Sequence, residues 1–288
     1  MTKTEKIRLR EMESPFKADV VKGKVALITG GGSGIGFEIS TQFGKHGASI
    51  AIMGRRKQVL DSAVSALQSL GIQAVGFEGD VRKHEDAKRV VESTFQHFGR
   101  LDILVNVMDI DAVGTFTMCY EALKYLKKGG PGRRSSGGGT ILNISATLHY
   151  TASWYQVHVA AAKAAIDATT RNLALEWGAD YDIRVNGIAP GPIDDTPGMS
   201  KLAPSEINSK ARDYMPLYKL GDKWDIAMAA LYLASDAGKF INGTVIIADG
   251  GLWLSRPRHL PKEAVKQLSR SVEKRSRDAP VGVPRSKL

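Results

Sequence analysis

A glycine-rich stretch near the amino terminus constrains the fold of this chain more than any other feature. Residues 29–36 read TGGGSGIG and lie between the apolar run KVALIT, at residues 24–29, and a segment with helical spacing at residues 35–46. Glycines allow the backbone to turn tightly and to approach a pyrophosphate closely, and the start of a helix offers free N–H groups and a partial positive charge. The stretch therefore predicts a dinucleotide-binding loop between a buried strand and a helix.

Apolar runs alternate with helical segments along the rest of the chain. Strands are predicted at residues 24–29, 48–53, 72–78, 101–106, 140–145, 183–189 and 243–251, and helices at residues 35–46, 57–70, 83–98, 109–128, 153–177 and 224–234. Strands that are apolar throughout and alternate with helices indicate βαβ units and a parallel sheet covered on both faces. We therefore predict an α/β fold, a Rossmann-type doubly wound parallel sheet of about seven strands in a single domain.

Composition sets the boundaries of this domain and excludes several classes of site. We predict a lead-in at residues 1–22, the nucleotide-binding domain at residues 23–255 and a basic tail at residues 256–288. No apolar run reaches the roughly 18 residues that a membrane-spanning helix needs, so no membrane span is expected. The single cysteine, Cys119, excludes an intrachain disulfide and a cysteine-based metal site, and no metal is predicted.

The formal net charge of +10 is concentrated at the carboxyl end of the chain. Residues 256–288 contain ten Lys or Arg and three Asp or Glu, so this tail carries +7 and the remaining 255 residues carry +3. Because the body shows no basic stripe with interleaved aromatic residues, we expect no nucleic-acid binding. Within the tail, the spacing of apolar residues predicts a short helix at residues 262–277.

The chain ends in the tripeptide Ser286, Lys287 and Leu288, preceded by Pro284 and Arg285. A carboxyl-terminal S-K-L is an address that the peroxisomal import receptor binds. The polar tail before it favours access by that receptor. We therefore expect a peroxisomal location, with the import receptor as a partner.

The residues after the second and third strands extend the predicted cofactor site. Arg55 and Arg56 follow the second strand, where an acidic residue would bind the ribose 2′-hydroxyl of NAD. Arginine instead suits the 2′-phosphate of NADP by its charge and its fork of donors, although a solvated pair of arginines is the alternative. We predict NADP(H), with Asp80 and Val81 beside the adenine ring. The candidate cofactor-binding residues in the amino-terminal part of the domain are Gly30, Ser33, Gly34, Ile35, Gly36, Arg55, Arg56, Asp80 and Val81.

Six segments occur in an order that resembles the short-chain dehydrogenase/reductase family. They are TGGGSGIG, LDILVN, NIS, Lys163 on the fifth helix, RVNGIAPGPI and ADGG, and they cover about residues 20–255. The resemblance implies that Lys163 holds the nicotinamide ribose. It also implies that the nicotinamide pocket is lined by Pro190, Gly191 and Ile193.

The catalytic set of that family is incomplete in this chain. The family uses an Asn, a Ser, a Tyr and a Lys, and the Tyr precedes the Lys by four residues. Lys163 matches, but Val159 occupies the tyrosine position. Ala146 occupies the serine position and Asp111 the asparagine position. Tyr155 lies about 12 Å along a helix from Lys163 instead of about 6 Å, so it is disfavoured as the proton donor.

One kind of chemistry explains these departures. Reduction of a ketone needs a proton on the carbonyl oxygen, whereas reduction of a conjugated carbon–carbon bond collects charge on a distant thioester oxygen as a dienolate. The segments NISATLHY, VHVAAAKAAIDATTRNLALEWG, RVNGIAPGPI and VIIADGG resemble the branch of the family that reduces 2,4-dienoyl-CoA, above all its peroxisomal members. The resemblance implies NADPH-dependent reduction of this fatty acyl-CoA substrate to a 3-enoyl-CoA in β-oxidation of unsaturated fatty acids.

The same resemblance assigns the catalytic roles. Lys163 would place positive charge near the developing oxyanion. Asp111 and Asp249 match the positions that order the catalytic water in the peroxisomal branch. From the residues alone, Asp249 is equally well explained as a residue at the end of the sheet, and Asp111 as an acid favoured by a helix dipole.

The connection that follows Asn106 is shorter than in similar proteins. Asn106 runs through Val107 and Met108 directly into DIDAVGTF, which leaves the chain short by roughly twenty residues, more than ordinary loop variation. The missing stretch would border the nicotinamide and cover the acyl chain. Three functions stay open: a working dienoyl-CoA reductase, a catalytically impaired variant or partner subunit, and a peroxisomal enoyl-CoA or 3-oxoacyl-CoA reductase. Family analogy implies a homotetramer packed through the fourth and fifth helices.

Overall fold

The structure is a computed structural model of the 288-residue chain. It describes residues 13–107, 112–133, 137–196, 215–255 and 262–278. Within these ranges, the strands are β1 (Val25–Thr29), β2 (Ser49–Gly54), β3 (Ala74–Glu78), β4 (Ile103–Asn106), β5 (Thr140–Ile144), β6 (Arg184–Pro190) and β7 (Val245–Ala248). The α-helices are α1 (Gly34–Lys45), α2 (Lys57–Ser69), α3 (His84–Phe98), α4 (Ala112–Leu126), α5 (Val157–Tyr181), α6 (Lys223–Ala234) and α7 (Lys262–Asp278).

The strands form one sheet in the order β3-β2-β1-β4-β5-β6-β7, and every pairing is parallel. Every residue of β1, β4 and β5 is buried, as expected for parallel strands with helices on both faces. Phe43 of α1 and Leu231 of α6 pack on one face of the sheet, and Met118 of α4 and Leu173 of α5 pack on the other. The predicted α/β doubly wound parallel sheet of seven strands is confirmed.

The strand order reverses between β1 and β4, which are neighbours in the sheet. Ligands of doubly wound sheets bind at this point, outside the carboxyl ends of the strands. Thr29 and Asn106, the last residues of the two strands, are register partners. The N–H of Val107 donates to Thr29 Oγ1 at 3.1 Å. This pairing brings the start of the glycine-rich loop next to the start of the shortened connection.

Two predicted elements begin or end at other residues in the structure. The helix predicted from residue 153 begins at Val157, because Ala152 and Tyr155 have positive φ angles of 59° and 58° that interrupt a helix. The strand predicted to run to residue 251 ends at Ala248, because Gly250 and Gly251 turn the chain with φ of 63° and 82°. The tail helix predicted at residues 262–277 is confirmed as α7. In the described part of the chain, no helix is both long and apolar enough to span a membrane.

Candidate functional site

The glycine-rich loop leaves the amino terminus of α1 open. Gly30 has a φ of 65° and donates its N–H to Met53 O at 2.8 Å, which ties the loop to the end of β2. Gly34 begins α1 with a φ of 56°. Ser33 precedes the helix, but its side chain does not cap it, and the first turn contains no acidic residue. The first N–H groups and the helix dipole therefore remain available to an anion.

The loop also packs too closely for side chains at its glycines. A Cβ atom on Gly36 would lie 2.4 Å from Gly30 O, and one on Gly31 would lie 2.5 Å from Ile52 Cγ2. Only glycine fits at these two positions, so the backbone itself forms the surface of the cradle. A backbone surface at a helix start suits a pyrophosphate, and the predicted residues from Gly30 to Gly36 fit a dinucleotide.

A polar recess lies at the ends of β2 and β3, where the adenosine half of a dinucleotide would extend. Its lining residues are Arg55, Glu78, Gly79, Asp80, Lys83, Asp86 and Arg89. Arg55 and Arg56 are both exposed, as a group that binds an incoming phosphate must be. Arg89 is already engaged with Glu78 O at 2.8 Å and Asp86 Oδ1 at 2.7 Å. Arg55 and Lys83 are the cations of the recess that this engagement leaves for a ligand.

Asp80 and Val81 hold the turn that follows β3. Arg82 Nε lies 3.0 Å from each carboxylate oxygen of Asp80, and these hydrogen bonds lower the pKa of Asp80 to about 2. The Asp80 N–H donates to Asp86 Oδ2 at 3.0 Å, and Val81 is buried at 7% exposure. The carboxylate of Asp80 is thus fixed by protein groups before any ligand binds.

Lys163 is buried at the carboxyl ends of the central strands. It is 2% exposed, and its Nζ donates to Ile144 O, at the end of β5, at 2.8 Å. The hydroxyl of Ser145 lies 3.5 Å from Lys163 O. Val159, one turn earlier on α5, is 4% exposed and offers no proton. The lysine therefore lies next to the end of β5 without a hydroxyl acid one turn away.

Tyr155 lies in a turn before α5, not on the helix where we predicted it. Its φ is 58° and it is 45% exposed, with its ring near that of Trp154. The helical spacing from Tyr155 to Lys163 that we used was therefore wrong. Among the described residues, no hydrogen bond joins Tyr155 to Lys163.

Asp249 follows β7 and closes the turn there. Its Oδ1 accepts the N–H of Gly251 and its Oδ2 accepts the N–H of Trp253, each at 2.9 Å. Gly191 packs directly against it, since a Cβ on Gly191 would lie 2.5 Å from Asp249 Cβ. Asp249 is thus a residue at the end of the sheet that stabilises a turn, as one of the two explanations predicted. It also lies beside the segment predicted to line the nicotinamide pocket.

That segment continues from β6. The N–H of Gly191 donates to Ala248 O at 3.0 Å, and Pro190 O lies 3.5 Å from the hydroxyl of Thr147. Ile193 is 3% exposed and pairs with Gly221 in an isolated parallel bridge. Pro190 and Gly191 are therefore held between the turn after β5 and the end of β7, and Ile193 is held by the segment before α6.

Sequence reasoning missed a buried polar cluster on α5. Asp167, four residues after Lys163, is 2% exposed, and its Oδ2 accepts hydrogen bonds from Tyr150 OH at 2.8 Å and His149 Nε2 at 2.9 Å. Asp167 Oδ1 and His149 Nδ1 are buried and have no hydrogen-bond partner within the described ranges. The signal in the sequence was an acidic residue one turn from Lys163 on a helix that is otherwise rich in alanine.

A second buried network joins β4 to β5 and α4. Asn106 Nδ2 donates to Asn143 Oδ1 at 2.9 Å and lies 3.4 Å from Cys119 Sγ, while Asn143 Nδ2 donates to Thr170 Oγ1 at 2.9 Å. Among the described residues, Asn106 Oδ1 is buried without a hydrogen-bond partner at the point where the connection is short. Complete burial raises the pKa of Cys119 to about 12.

Two groups of predicted residues fall outside the described residues. These are Asp111, in the connection between β4 and α4, and the tripeptide Ser286, Lys287 and Leu288. Within the part that is described, no group of three or more His, Cys, Asp or Glu side chains could hold a metal ion.

Comparison with known families and proteins covers nearly the whole chain. Residues 24–107 match the short chain dehydrogenase family, and residues 106–253 match the family described as enoyl-(acyl carrier protein) reductase. The chain is 76% identical to the peroxisomal 2,4-dienoyl-CoA reductase [(3E)-enoyl-CoA-producing] of Arabidopsis thaliana, over 96% of this chain and 100% of that protein. The chain belongs to the short-chain dehydrogenase/reductase family.

Members of this family from distant organisms are also similar. Proteins named peroxisomal 2,4-dienoyl-CoA reductase are 37% identical in Mus musculus, over 90% of this chain and 92% of that protein, and 35% identical in Saccharomyces cerevisiae, over 84% and 88%. A short chain dehydrogenase structure from Bacillus anthracis has a TM-score of 0.73 at 36% identity, covering 82% of this chain and 98% of that one. A 7α-hydroxysteroid dehydrogenase solved with NADH has a TM-score of 0.74 at 30% identity, covering 82% and 97%.

The same comparisons measure how much shorter this chain is. The Arabidopsis match runs over 298 positions but uses 96% of 288 residues, or about 276, so about 22 positions have no counterpart here. The two family matches meet at residues 106–107. Both observations agree with a segment missing after Asn106, with the size that the sequence predicts.

Proposed function

We propose that this chain catalyses the NADPH-dependent reduction of 2,4-dienoyl-CoA to 3-enoyl-CoA in the peroxisome. The observation that carries the proposal is the pairing of a buried Lys163 with Val159, which leaves the site a cation but no hydroxyl acid one turn away. Such a site suits a reaction that develops negative charge without immediate protonation of a carbonyl oxygen. The names of the Arabidopsis, mouse and yeast relatives support the substrate class, the product and the location.

The amino-terminal half of the sheet would hold the cofactor. The backbone cradle from Gly30 to Gly36 and the open start of α1 would bind the pyrophosphate. Arg55 and Arg56 would pair with the 2′-phosphate of NADP, with Asp80 and Val81 beside the adenine. NADPH, when bound, supplies the hydride for the far end of the conjugated system.

The carboxyl-terminal half would stabilise the charge that this addition creates. Negative charge collects on the thioester oxygen as a dienolate, and the ammonium group of the buried Lys163 would lower its free energy. Asp111 and Asp249 would order the water that later protonates carbon. Both Asp249 oxygens already accept one N–H each, and each oxygen keeps a second lone pair for such a water.

The remaining proposals concern assembly and delivery. We assign catalysis to residues 23–255 and peroxisomal import to the tail at 256–288, through Ser286, Lys287 and Leu288. A homotetramer is supported by an exposed apolar row on α4, where Val113, Phe116 and Tyr120 are 73%, 45% and 56% exposed. Light scattering after size exclusion measures this state, and Phe116→Glu is expected to lower the mass.

The deciding experiment follows the absorbance of NADPH in the purified full chain with 2,4-hexadienoyl-CoA, and with a 3-oxoacyl-CoA as the control. Oxidation with the dienoyl substrate alone supports the proposed reaction. Oxidation with the 3-oxoacyl-CoA at an equal or higher rate contradicts it. NADH in place of NADPH, in the same assay, measures the cofactor preference.

A second candidate function is favoured by the missing segment. About 22 positions of the Arabidopsis relative are absent here. Asn106 Oδ1, where the two family matches meet, is buried and has no hydrogen-bond partner in the described part of the chain. A chain with this defect would bind NADPH but reduce the dienoyl substrate slowly, or act as a partner subunit. NADPH binding in a fluorescence titration without turnover supports this candidate over the first.

A further inference from the structure

The first observation concerns a buried carboxylate that the proposed chemistry does not use. Asp167 lies on α5 one turn after Lys163 and accepts hydrogen bonds from Tyr150 and His149 at a single oxygen, Oδ2. We call these three residues the anchor cluster. A buried carboxylate is strongly destabilising unless donors compensate for the lost water. Burial and the bond to Asp167 raise the pKa of Tyr150 above its ordinary value, so its hydroxyl stays protonated and remains a donor.

The anchor cluster adds a side-chain link between α5 and the segment that follows β5. Nearer the strand, Lys163 Nζ donates to Ile144 O at 2.8 Å, and the hydroxyl of Ser145 lies 3.5 Å from Lys163 O. The anchor cluster bonds the next turn of α5, because His149 and Tyr150 belong to the turn that directly follows β5. Two successive turns of α5 are thus bonded to one short segment, so we expect the position of Lys163 to depend on the anchor cluster as well as on its own bonds.

The anchor cluster also reaches the turn that carries Asp249. The ring of Tyr150 lies 5.9 Å from the ring of Trp253, and the N–H of Trp253 donates to Asp249 Oδ2 at 2.9 Å. Tyr150 therefore contacts both α5 and the turn after β7. Val159, where the family has tyrosine, offers no hydrogen bond from α5 to the loop above it.

The loop changes character directly after the anchor cluster. Ala152 and Tyr155 have positive φ angles of 59° and 58°, and Trp154 and Tyr155 are 48% and 45% exposed. Positive φ in residues other than glycine is strained and persists where the surroundings enforce it. The base of the loop is therefore fixed by Asp167, while its tip is strained and open.

We propose that His149, Tyr150 and Asp167 are positioning residues that hold Lys163 and the Asp249 turn in one fixed arrangement, without touching the substrate. In other members of the family, a tyrosine at position 159 would help to orient the site. We infer that the anchor cluster fulfils part of this role here. The inference rests on the proposed function for its purpose. Its geometry is independent of turnover and can be tested without it.

The test compares Tyr150→Phe with Tyr232→Phe by hydrogen–deuterium exchange in the ligand-free full chain. Tyr232 is a half-buried tyrosine of α6 whose hydroxyl forms no hydrogen bond among the described residues, so it controls for the loss of a hydroxyl. In Tyr150→Phe we expect amide exchange to become about fivefold faster, which is the ratio for one lost hydrogen bond. The faster exchange should extend over residues 144–157, the residues around Lys163 and residues 249–255. Faster exchange confined to residues 144–157 overturns the proposal, because Tyr150 would then stabilise only its own loop.

A double-mutant cycle on NADPH affinity separates positioning from general stability. Tyr150→Phe is expected to weaken NADPH binding about fivefold in the parent chain but not in a Lys163→Ala background, because its effect passes through Lys163. Asp167→Asn, which keeps an acceptor oxygen, should fall between the parent and Asp167→Ala. Independent effects of Tyr150→Phe and Lys163→Ala contradict the proposal.

The failure of the proposed function gives a different result. If the parent chain neither binds NADPH nor turns over the dienoyl substrate, the proposed reaction is wrong. The exchange pattern of Tyr150→Phe still decides whether the anchor cluster couples the three elements.

Discussion

The two halves of the sheet on either side of the β1–β4 boundary are built to different degrees of completeness. In the amino-terminal half, the loop from Gly30 to Gly36 is closely packed and the start of α1 is open to an anion. In the carboxyl-terminal half, Val159 replaces the family's acid, and the connection after Asn106 is short. The difference teaches that nucleotide binding depends on backbone geometry within one strand–loop–helix unit, whereas catalysis depends on loops contributed by several strands.

Gly36→Val should disrupt the nucleotide-binding loop of the amino-terminal half, and it gives the largest expected effect. A Cβ at this position would lie 2.4 Å from Gly30 O, so the loop must move away from the pyrophosphate. We expect NADPH affinity to fall by about a hundredfold or more, which corresponds to about 3 kcal/mol. Fluorescence titration measures it, and Gly137→Ala is the control, because its Cβ would meet its nearest neighbour, Asp182 Oδ2, at 3.3 Å. Unchanged affinity would show that the loop does not hold the cofactor.

Restoring the missing segment should complete the other half. We expect insertion of the Arabidopsis segment of about 22 residues between Asn106 and Val107 to raise turnover of 2,4-hexadienoyl-CoA by about tenfold or more. The physical reason is that the segment excludes water and orients the substrate. NADPH affinity should change far less, because the cradle is already formed. Equal turnover with and without the segment would show that it is dispensable.

Arg55→Glu should alter cofactor choice without affecting the fold. Replacing a cation beside the 2′-phosphate by an anion is expected to lower the NADPH affinity about tenfold or more, while NADH affinity stays nearly constant. Titrations with both cofactors measure the ratio. Lys239→Glu, another exposed charge reversal, is the control. Equal losses for NADPH and NADH would contradict the assignment of Arg55 to the 2′-phosphate.

Val159→Tyr tests whether the carboxyl-terminal half lacks only its acid. Position 159 is 4% exposed, so the larger side chain should lower the free energy of unfolding by about 1–3 kcal/mol. Turnover of a 3-oxoacyl-CoA should stay low, because Ala146 and Asp111 depart from the family set as well. Urea unfolding and the NADPH assay measure the two outcomes. A large gain in ketone reduction would instead support the alternative function, a 3-oxoacyl-CoA reductase.

Arg82→Gln, in the amino-terminal half, gives the smallest expected effect, a small loss of stability. The pKa of Asp80 is lowered from 3.8 to about 2 by its hydrogen bonds with Arg82, so the interaction stabilises the fold above about pH 4 and is lost as the pH falls towards 2. Because the pair lies at the surface, we expect a loss of at most about 1 kcal/mol at neutral pH. Urea unfolding of both proteins should show this difference shrinking below about pH 4. A difference that persists to the lowest pH would point to packing by Arg82.

The sequence predicted the fold and the nucleotide loop because both have local causes. Each strand is an apolar run with turn residues at its ends, and the loop from Gly30 to Gly36 needs glycine for reasons that its own backbone sets. The turn at Tyr155 was missed, because a positive φ in a residue other than glycine is imposed by surrounding structure and leaves no sequence pattern.

The anchor cluster and the bonds of Asp249 were missed for a different reason. Asp167 meets His149 and Tyr150 across 18 and 17 residues of chain, and such pairings arise only when a helix packs on a sheet. Asp249 was singled out by family resemblance, but its two N–H donors were not foreseen. The roles of Lys163, Asp111 and Asp249 in catalysis stay predictions.

The burial of Cys119 has a consequence for the chemical durability of the chain. It is the single cysteine of the sequence, it is fully buried on α4, and its pKa is raised to about 12. Peroxides attack the thiolate rather than the thiol, so at neutral pH almost none of the reactive form exists. An organelle whose oxidases release hydrogen peroxide would therefore find no ready cysteine target in this folded chain.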